Sequence, residues 1–210
     1  MLLAFALALA LIAKPTPTPA PGAAMLGQWE SAERTQEGVG NILEFYADGR
    51  VTQISASMAD ATYSVEGDRL RTFWKDPATG RVSEVETQIE FEGNRRFLEK
   101  GDEASGENWS DRVGVAPRSG SPLLGQWCSL FLEMLTTYRE FTPERMYNRL
   151  PVVTLRGQYS ISGETLRVEM QAQPPGEYPF RLDNGELVIK SRNGSEKRYK
   201  RPETSLLKGY

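Results

Sequence analysis

A chain of 210 residues with one cysteine, no histidine and a net charge of −3 has several chemistries closed to it. The lone Cys128 excludes an intramolecular disulfide, and the lack of histidine removes the commonest general base and metal ligand. The mildly acidic balance argues against nucleic acid, DNA included, because such binding draws its affinity from neutralised phosphates.

The chain opens on an unbroken apolar run, Met1 to Ala13, MLLAFALALALIA. It is too short to cross a bilayer core of about 30 Å as a helix and suits the apolar region of a secretory signal, although no Lys or Arg precedes it. The protein is therefore expected to be exported to the periplasm, envelope or exterior, with membrane anchoring only where residues 1–13 stay uncleaved. Residues 14–25 follow, with the proline-rich KPTPTPAPGAA that favours an extended polyproline spacer.

Beyond this lead the sequence repeats itself. Leu26-Gly27-Gln28-Trp29 returns as Leu124-Gly125-Gln126-Trp127, Glu44-Phe45 as Glu140-Phe141, and Tyr63 to Leu70 as Tyr159 to Leu166. The order is kept and the offset drifts only from 98 to 96. Such ordered self-similarity marks a duplicated unit. The copies are bounded at 26–116 and 124–203, with a linker at 117–123 (Ala116 to Pro122 reads APRSGSP) and a tail at 204–210. The first copy carries ten basic and eighteen acidic residues, a net of −8, and the second twelve and ten, a net of +2.

Each unit reads as β. Val85, Thr87, Ile89 and Phe91 alternate with Glu84, Glu86, Gln88, Glu90 and Glu92, and Leu166, Val168 and Met170 alternate with Arg167, Glu169 and Gln171. A period of two separates these sets onto opposite faces of a strand. Asp48-Gly49, Asn184-Gly185 and Asn193-Gly194 are hairpin signals between apolar runs. Seven or eight short strands per unit are expected, with some helical character only around Leu130 to Leu135.

The Gly-x-Trp at the start of each unit, the run of hairpins and the closing basic residue resemble the small lipocalin-like (calycin-type) barrels of bacterial exported proteins. The units are shorter than a typical lipocalin. The resemblance implies an all-β protein of two tandem small antiparallel lipocalin-like barrels, one per repeat. It also implies a Trp packed under a basic side chain where each barrel closes: Trp29 with Arg112, and Trp127 with Arg201 or its rival Arg198.

The candidate chemistry is sparse. Glu84, Glu86, Glu90 and Glu92 form an acidic stripe that serves either acid–base or cation chemistry or simply the wet face of a strand. Cys128 reads as a small buried hydrophobe more readily than as a reactive thiol. Lys190, Arg192, Lys197, Arg198, Lys200 and Arg201 make a basic C-terminal strand, of the kind that protects a sheet edge. Phe45, Tyr63, Phe91, Phe141, Tyr159 and Phe180 either line an apolar ligand pocket or fill the core. No phosphate loop, zinc spacing or nucleophile elbow is present, so neither catalytic residues nor cofactors nor metals are expected. The leading expectation is a non-enzymatic binding module for a small apolar molecule. A contact module for another envelope protein, built on the opposed charges of the repeats, stands second, and a carboxylate-based hydrolase last.

Overall fold

The computed structural model describes residues 21–76, 79–101, 106–131, 134–204 and 206–207. The apolar run 1–13 and most of the proline-rich spacer lie outside them, as do parts of the C-terminal tail. A single helical turn, α1 (Pro21–Met25), precedes the first unit. That unit supplies β1 (Gly27–Ser31), β2 (Val39–Phe45), β3 (Arg50–Glu66), β4 (Arg69–Lys75), β5 (Val82–Glu92), β6 (Arg96–Lys100) and β7 (Glu107–Val113). The second supplies β8 (Gly125–Phe131), β9 (Leu135–Phe141), β10 (Met146–Ser162), β11 (Thr165–Met170), β12 (Gly176–Asp183), β13 (Glu186–Lys190) and β14 (Glu196–Lys200). Seven strands per repeat agree with the sequence pattern. The stretch around Leu130 is strand: Leu130 pairs with Thr136 across the β8–β9 hairpin.

All fourteen strands belong to one antiparallel sheet that closes into a ring, with β1 paired to β14. The expected pair of separate barrels, one per repeat, is not what forms. The reason lies in β3 and β10, each 17 residues long and each the same strand of its repeat. They pair with one another from Arg50↔Gln158 to Ala61↔Met146, across the ring. On its other edge β3 binds β2 along residues 51–57 and β4 along residues 61–66. In the same way β10 binds β9 at 146–149 and β11 at 157–162. The shared ribbon thus completes two closed circuits of eight strands (β1, β2, β3, β10 and β11–β14; and β3–β10). Each circuit takes strands from both repeats.

Packing follows the circuits. In the first, Trp29, Leu43, Phe45 and Val51 of repeat one bury against Leu166, Phe180, Leu187 and Tyr199 of repeat two. In the second, Leu70, Ile89 and Phe97 of repeat one bury against Trp127, Phe141 and Met146 of repeat two. A third cluster on the opposite face of the ribbon holds Ile42, Ile54, Ala56, Met58 and Tyr147 under Leu206 and Leu207 of the tail.

Local detail explains the register. Pro151 has no N–H for a ladder and sits beside the one register shift in the ribbon, between Pro151 and Val153. Asn184 and Gly185 both take positive φ, 50° and 83°, as a type I′ turn requires. At the other two hairpin signals only Gly49 and Gly194 do, within longer loops closed by Tyr46 N–H to Arg50 O and Ser191 N–H to Ser195 O. The alternation of β5 holds at Ile89 and Phe91, whereas Val85 is 47% exposed.

The exchange also redistributes charge. Residues 26–57 with 152–203 carry eleven basic and twelve acidic side chains (net −1), and residues 58–116 with 124–151 carry eleven and sixteen (net −5). The opposite signs of the repeats do not survive as opposite signs of the circuits.

Because each circuit needs both repeats, residues 21–119 and 120–210 produced separately should not give folded monomers. Mixed, they should give a 1:1 complex with the β signature of the intact chain, read by circular dichroism and light scattering. Two folded, monomeric halves would contradict the exchanged pairing.

Candidate functional site

The base of each circuit is built from the repeated Leu-Gly-Gln-Trp. The indole N–H of Trp29 donates to the Met25 carbonyl and that of Trp127 to the Leu123 carbonyl, both at 2.7 Å. A buried indole needs such an acceptor. Over each ring lies a guanidinium: Arg201 at 3.7 Å from the Trp29 ring centre, Arg112 at 3.9 Å from that of Trp127. Arg201 donates to the carbonyls of Gln28 and Ala24, and Arg112 to those of Asn94, Leu124 and Pro122. The stack is favourable by about 0.5–2 kcal/mol. Gly27 and Gly125 are required twice over. Their φ values are +91° and +107°, and an added Cβ would stand 3.2 and 2.9 Å from the arginine Nη1 atoms.

The stacks form with exchanged partners. Trp29 sits under Arg201 rather than Arg112, and Trp127 under Arg112 rather than Arg201, because β1 closes on β14 and β7 on β8. Arg198 is engaged elsewhere, with Glu186 at 2.9 Å. The repeated tyrosines exchange too. Tyr63 donates to the Thr142 carbonyl and packs edge-on to Phe141; Tyr159 donates to the Tyr46 carbonyl and packs edge-on to Phe45.

Above the base of the first circuit lies a cavity of about 170 Å³. Its apolar wall comes from Leu43, Phe45, Val51, Leu166, Val168 and Met170; Asn41, Gln53, Ser191 and Lys197 stand among its polar positions. β11 and β13 supply Leu166, Val168, Met170 and Ile189 to its lining, beside Tyr178 and Tyr199. Tyr199 forms part of the wall, and burial pushes its hydroxyl pKa up to about 12, so it stays a neutral donor at any ordinary pH.

Of the six aromatics singled out as ligand-lining, only Phe45 borders this cavity. Tyr159 and Phe180 belong to the same core cluster. Tyr63, Phe91 and Phe141 pack in the second circuit, around Phe97 and Trp127. The aliphatic wall went unassigned as a site, although the alternation Leu166, Val168, Met170 already put those side chains on one face.

The other candidates resolve simply. Cross-strand cations engage the β5 glutamates: Arg71 reaches Glu84, Arg69 and Arg71 hold Glu86, Lys100 holds Glu90 and Arg96 reaches Glu92. None borders the cavity, and among the described residues no group of three His, Cys, Asp or Glu side chains could hold a metal. Cys128 is half-buried, and burial together with Asp111 raises its thiol pKa, which disfavours the reactive thiolate. β14 is no sheet edge, since β13 and β1 pair with it on its two sides.

One cluster had no sequence signal. Arg149, 1% exposed, holds Glu30 through Nε at 2.9 Å and Nη2 at 3.1 Å, and Asp60 through Nη1 at 2.6 Å. Arg34 reaches Asp60 at 2.9 Å. The network ties β1, β3 and β10 on the face of the ribbon away from the interiors. Burial alone would raise the Asp60 pKa, but Arg149 and Arg34 outweigh it and hold the carboxyl below the usual carboxylate range.

Comparison with protein-family models, curated proteins and solved structures found no match to this chain.

Two outcomes test the network. Arg149→Met leaves the buried Glu30 carboxylate with only Arg34, 3.9 Å away, so unfolding free energy in urea should fall by up to roughly 3–5 kcal/mol. Asp60 has a depressed pKa, so its contribution is present above the unfolded value of about 3.9 and is lost as pH falls through the lower folded value. Between about pH 5 and pH 2 the urea midpoint should therefore drop less in Asp60→Asn than in the parent protein.

Proposed function

We propose that this protein is an exported, non-enzymatic binding module whose first circuit is a lipocalin-like barrel for a small, mainly apolar molecule. The observation that carries the reading is the cavity above Phe45, whose lining joins an apolar wall to a few polar groups. Ligand sites combine an apolar lining with a few placed polar groups in this way. Its volume of about 170 Å³ is close to the ~150 Å³ engineered cavity that takes up benzene, so the occupant is one ring or a short chain. Lys197, an exposed member of the lining, suits an occupant with a carboxylate at one end.

The apolar run and proline-rich spacer support the setting: a signal or anchor, then a tether that holds the barrel off a surface. Burial against the cavity wall would provide the affinity, and among the described residues no Asp or Glu lines the space.

Benzoate and toluene serve as probes in titration calorimetry. Both should bind the parent protein saturably. Val168→Trp, which fills the space, should abolish both. Lys197→Met should weaken benzoate by about tenfold, a loss of ~1.4 kcal/mol, and leave toluene unchanged. Absence of saturable binding by either probe, or binding undiminished in Val168→Trp, would overturn the assignment.

A further inference from the structure

The second circuit is not a copy of the first in its interior. Its base is filled by Phe97, Trp127 and Phe141, with rings meeting at 4.6 and 6.4 Å. Above them the inward positions turn polar. Ser57, Asn108, Ser129, Thr137, Arg139 and Asn148, from three strands and the shared ribbon, border with Ala59 and Leu150 a cavity of about 310 Å³. That is the liquid volume of roughly ten waters, at about 30 Å³ each.

Two features of this lining point outward to a ligand. Thr137 is 8% exposed, and its Oγ1 is buried with no hydrogen-bond partner among the described residues; Asn148 Oδ1 is in the same position. Nearly all buried polar groups in folded proteins are partnered, so two unpartnered ones beside one cavity leave hydrogen-bonding capacity that water or, after a small side-chain turn, a polar occupant would take up. The chemistry of that partner follows from the charge. Arg139 lines the cavity, but its Nη2 already lies 2.5 Å from Glu99 and 2.6 Å from Ser110 Oγ. An anion therefore meets a cation already neutralised, and a cation meets no carboxylate among the described residues of the lining. An apolar molecule would leave Thr137 and Asn148 unsatisfied. Hydroxyl groups, which donate and accept at once, match a wall of three hydroxyls and two amides.

We propose that this cavity is a second binding site, for a neutral polyhydroxylated molecule about the size of one sugar ring. The two circuits then hold chemically different occupants, apolar in the first and polar in the second. The inference uses none of the residues that line the first cavity.

Glucose, myo-inositol and glycerol are the neutral probes, glucuronate and glucosamine their charged counterparts, all measured on the full chain by saturation-transfer NMR and calorimetry. At least one neutral probe should bind saturably and more tightly than either charged one. Thr137→Val and Asn148→Leu should each weaken it by about tenfold, with benzoate binding at the first cavity unchanged. Thr137→Val keeps the side-chain shape and removes an unpartnered hydroxyl, so its thermal midpoint should be equal or higher, which separates loss of the site from loss of the fold. No saturable binding by any neutral probe, tighter binding of a charged one, or binding that survives both substitutions would each overturn the site. Failure of benzoate alone would overturn only the first cavity.

Discussion

The molecule depends on one ladder, the antiparallel pairing of β3 with β10 over twelve residue pairs. Everything that distinguishes this protein from two beads on a linker follows from it. The strands are about three times the usual length, so each has one half to spend on either circuit. Their shared ribbon is the wall of both interiors, and its opposite face carries the Arg149 network and the cover formed by Leu206 and Leu207. Removing the ladder would open both circuits at once, because β2 and β4 share a single edge of β3.

The bases of the circuits show how a short motif can specify a closed end. The glycine of Leu-Gly-x-Trp leaves room for a guanidinium, the guanidinium caps the indole, and the indole N–H turns inward to a carbonyl four residues back. Both ends use identical parts, yet the spaces above them diverge. Leu166, Val168 and Met170 line one, whereas Thr137, Arg139 and Asn148 line the other. Closure and lining are set by different residues, so duplicated units can keep the first while changing the second.

The β class, the seven strands per repeat, the Asn184-Gly185 turn and the kinds of residue in each Trp–Arg stack were legible in the sequence. The partners were not, and the reason is degeneracy. Because the repeats carry the same residues at matching positions, pairing within a repeat and pairing across repeats satisfy the same chemistry. Tyr63 finds a carbonyl at Thr142 as it would at Tyr46, and Arg112 finds an indole at Trp127 as it would at Trp29. One clue lay in punctuation: between Gly49 and Gly67 there is no Gly, Pro or Asn to end a strand. That run is β3. The Arg149 network lacked even this much, since its members come from positions 30, 34, 60 and 149, with no periodicity relating them. The polar cavity was equally silent, because Ser, Thr and Asn on a strand read as outward-facing until the circuit places them inside.

The closure of β1 on β14 has a temporal side. The pair joins Glu30 to Lys200, almost the two ends of the folded chain. The second circuit is complete once β10 exists, with some fifty residues still to come. The first must wait for the last strand, and until then β1 has an unpaired edge and the Trp29 ring has no guanidinium above it. Long-range pairing of this kind forms late, since the chain entropy is lost before the contacts return it. A chain delivered end-first across a membrane would therefore close one circuit before the other, and the apolar-lined one would be the later.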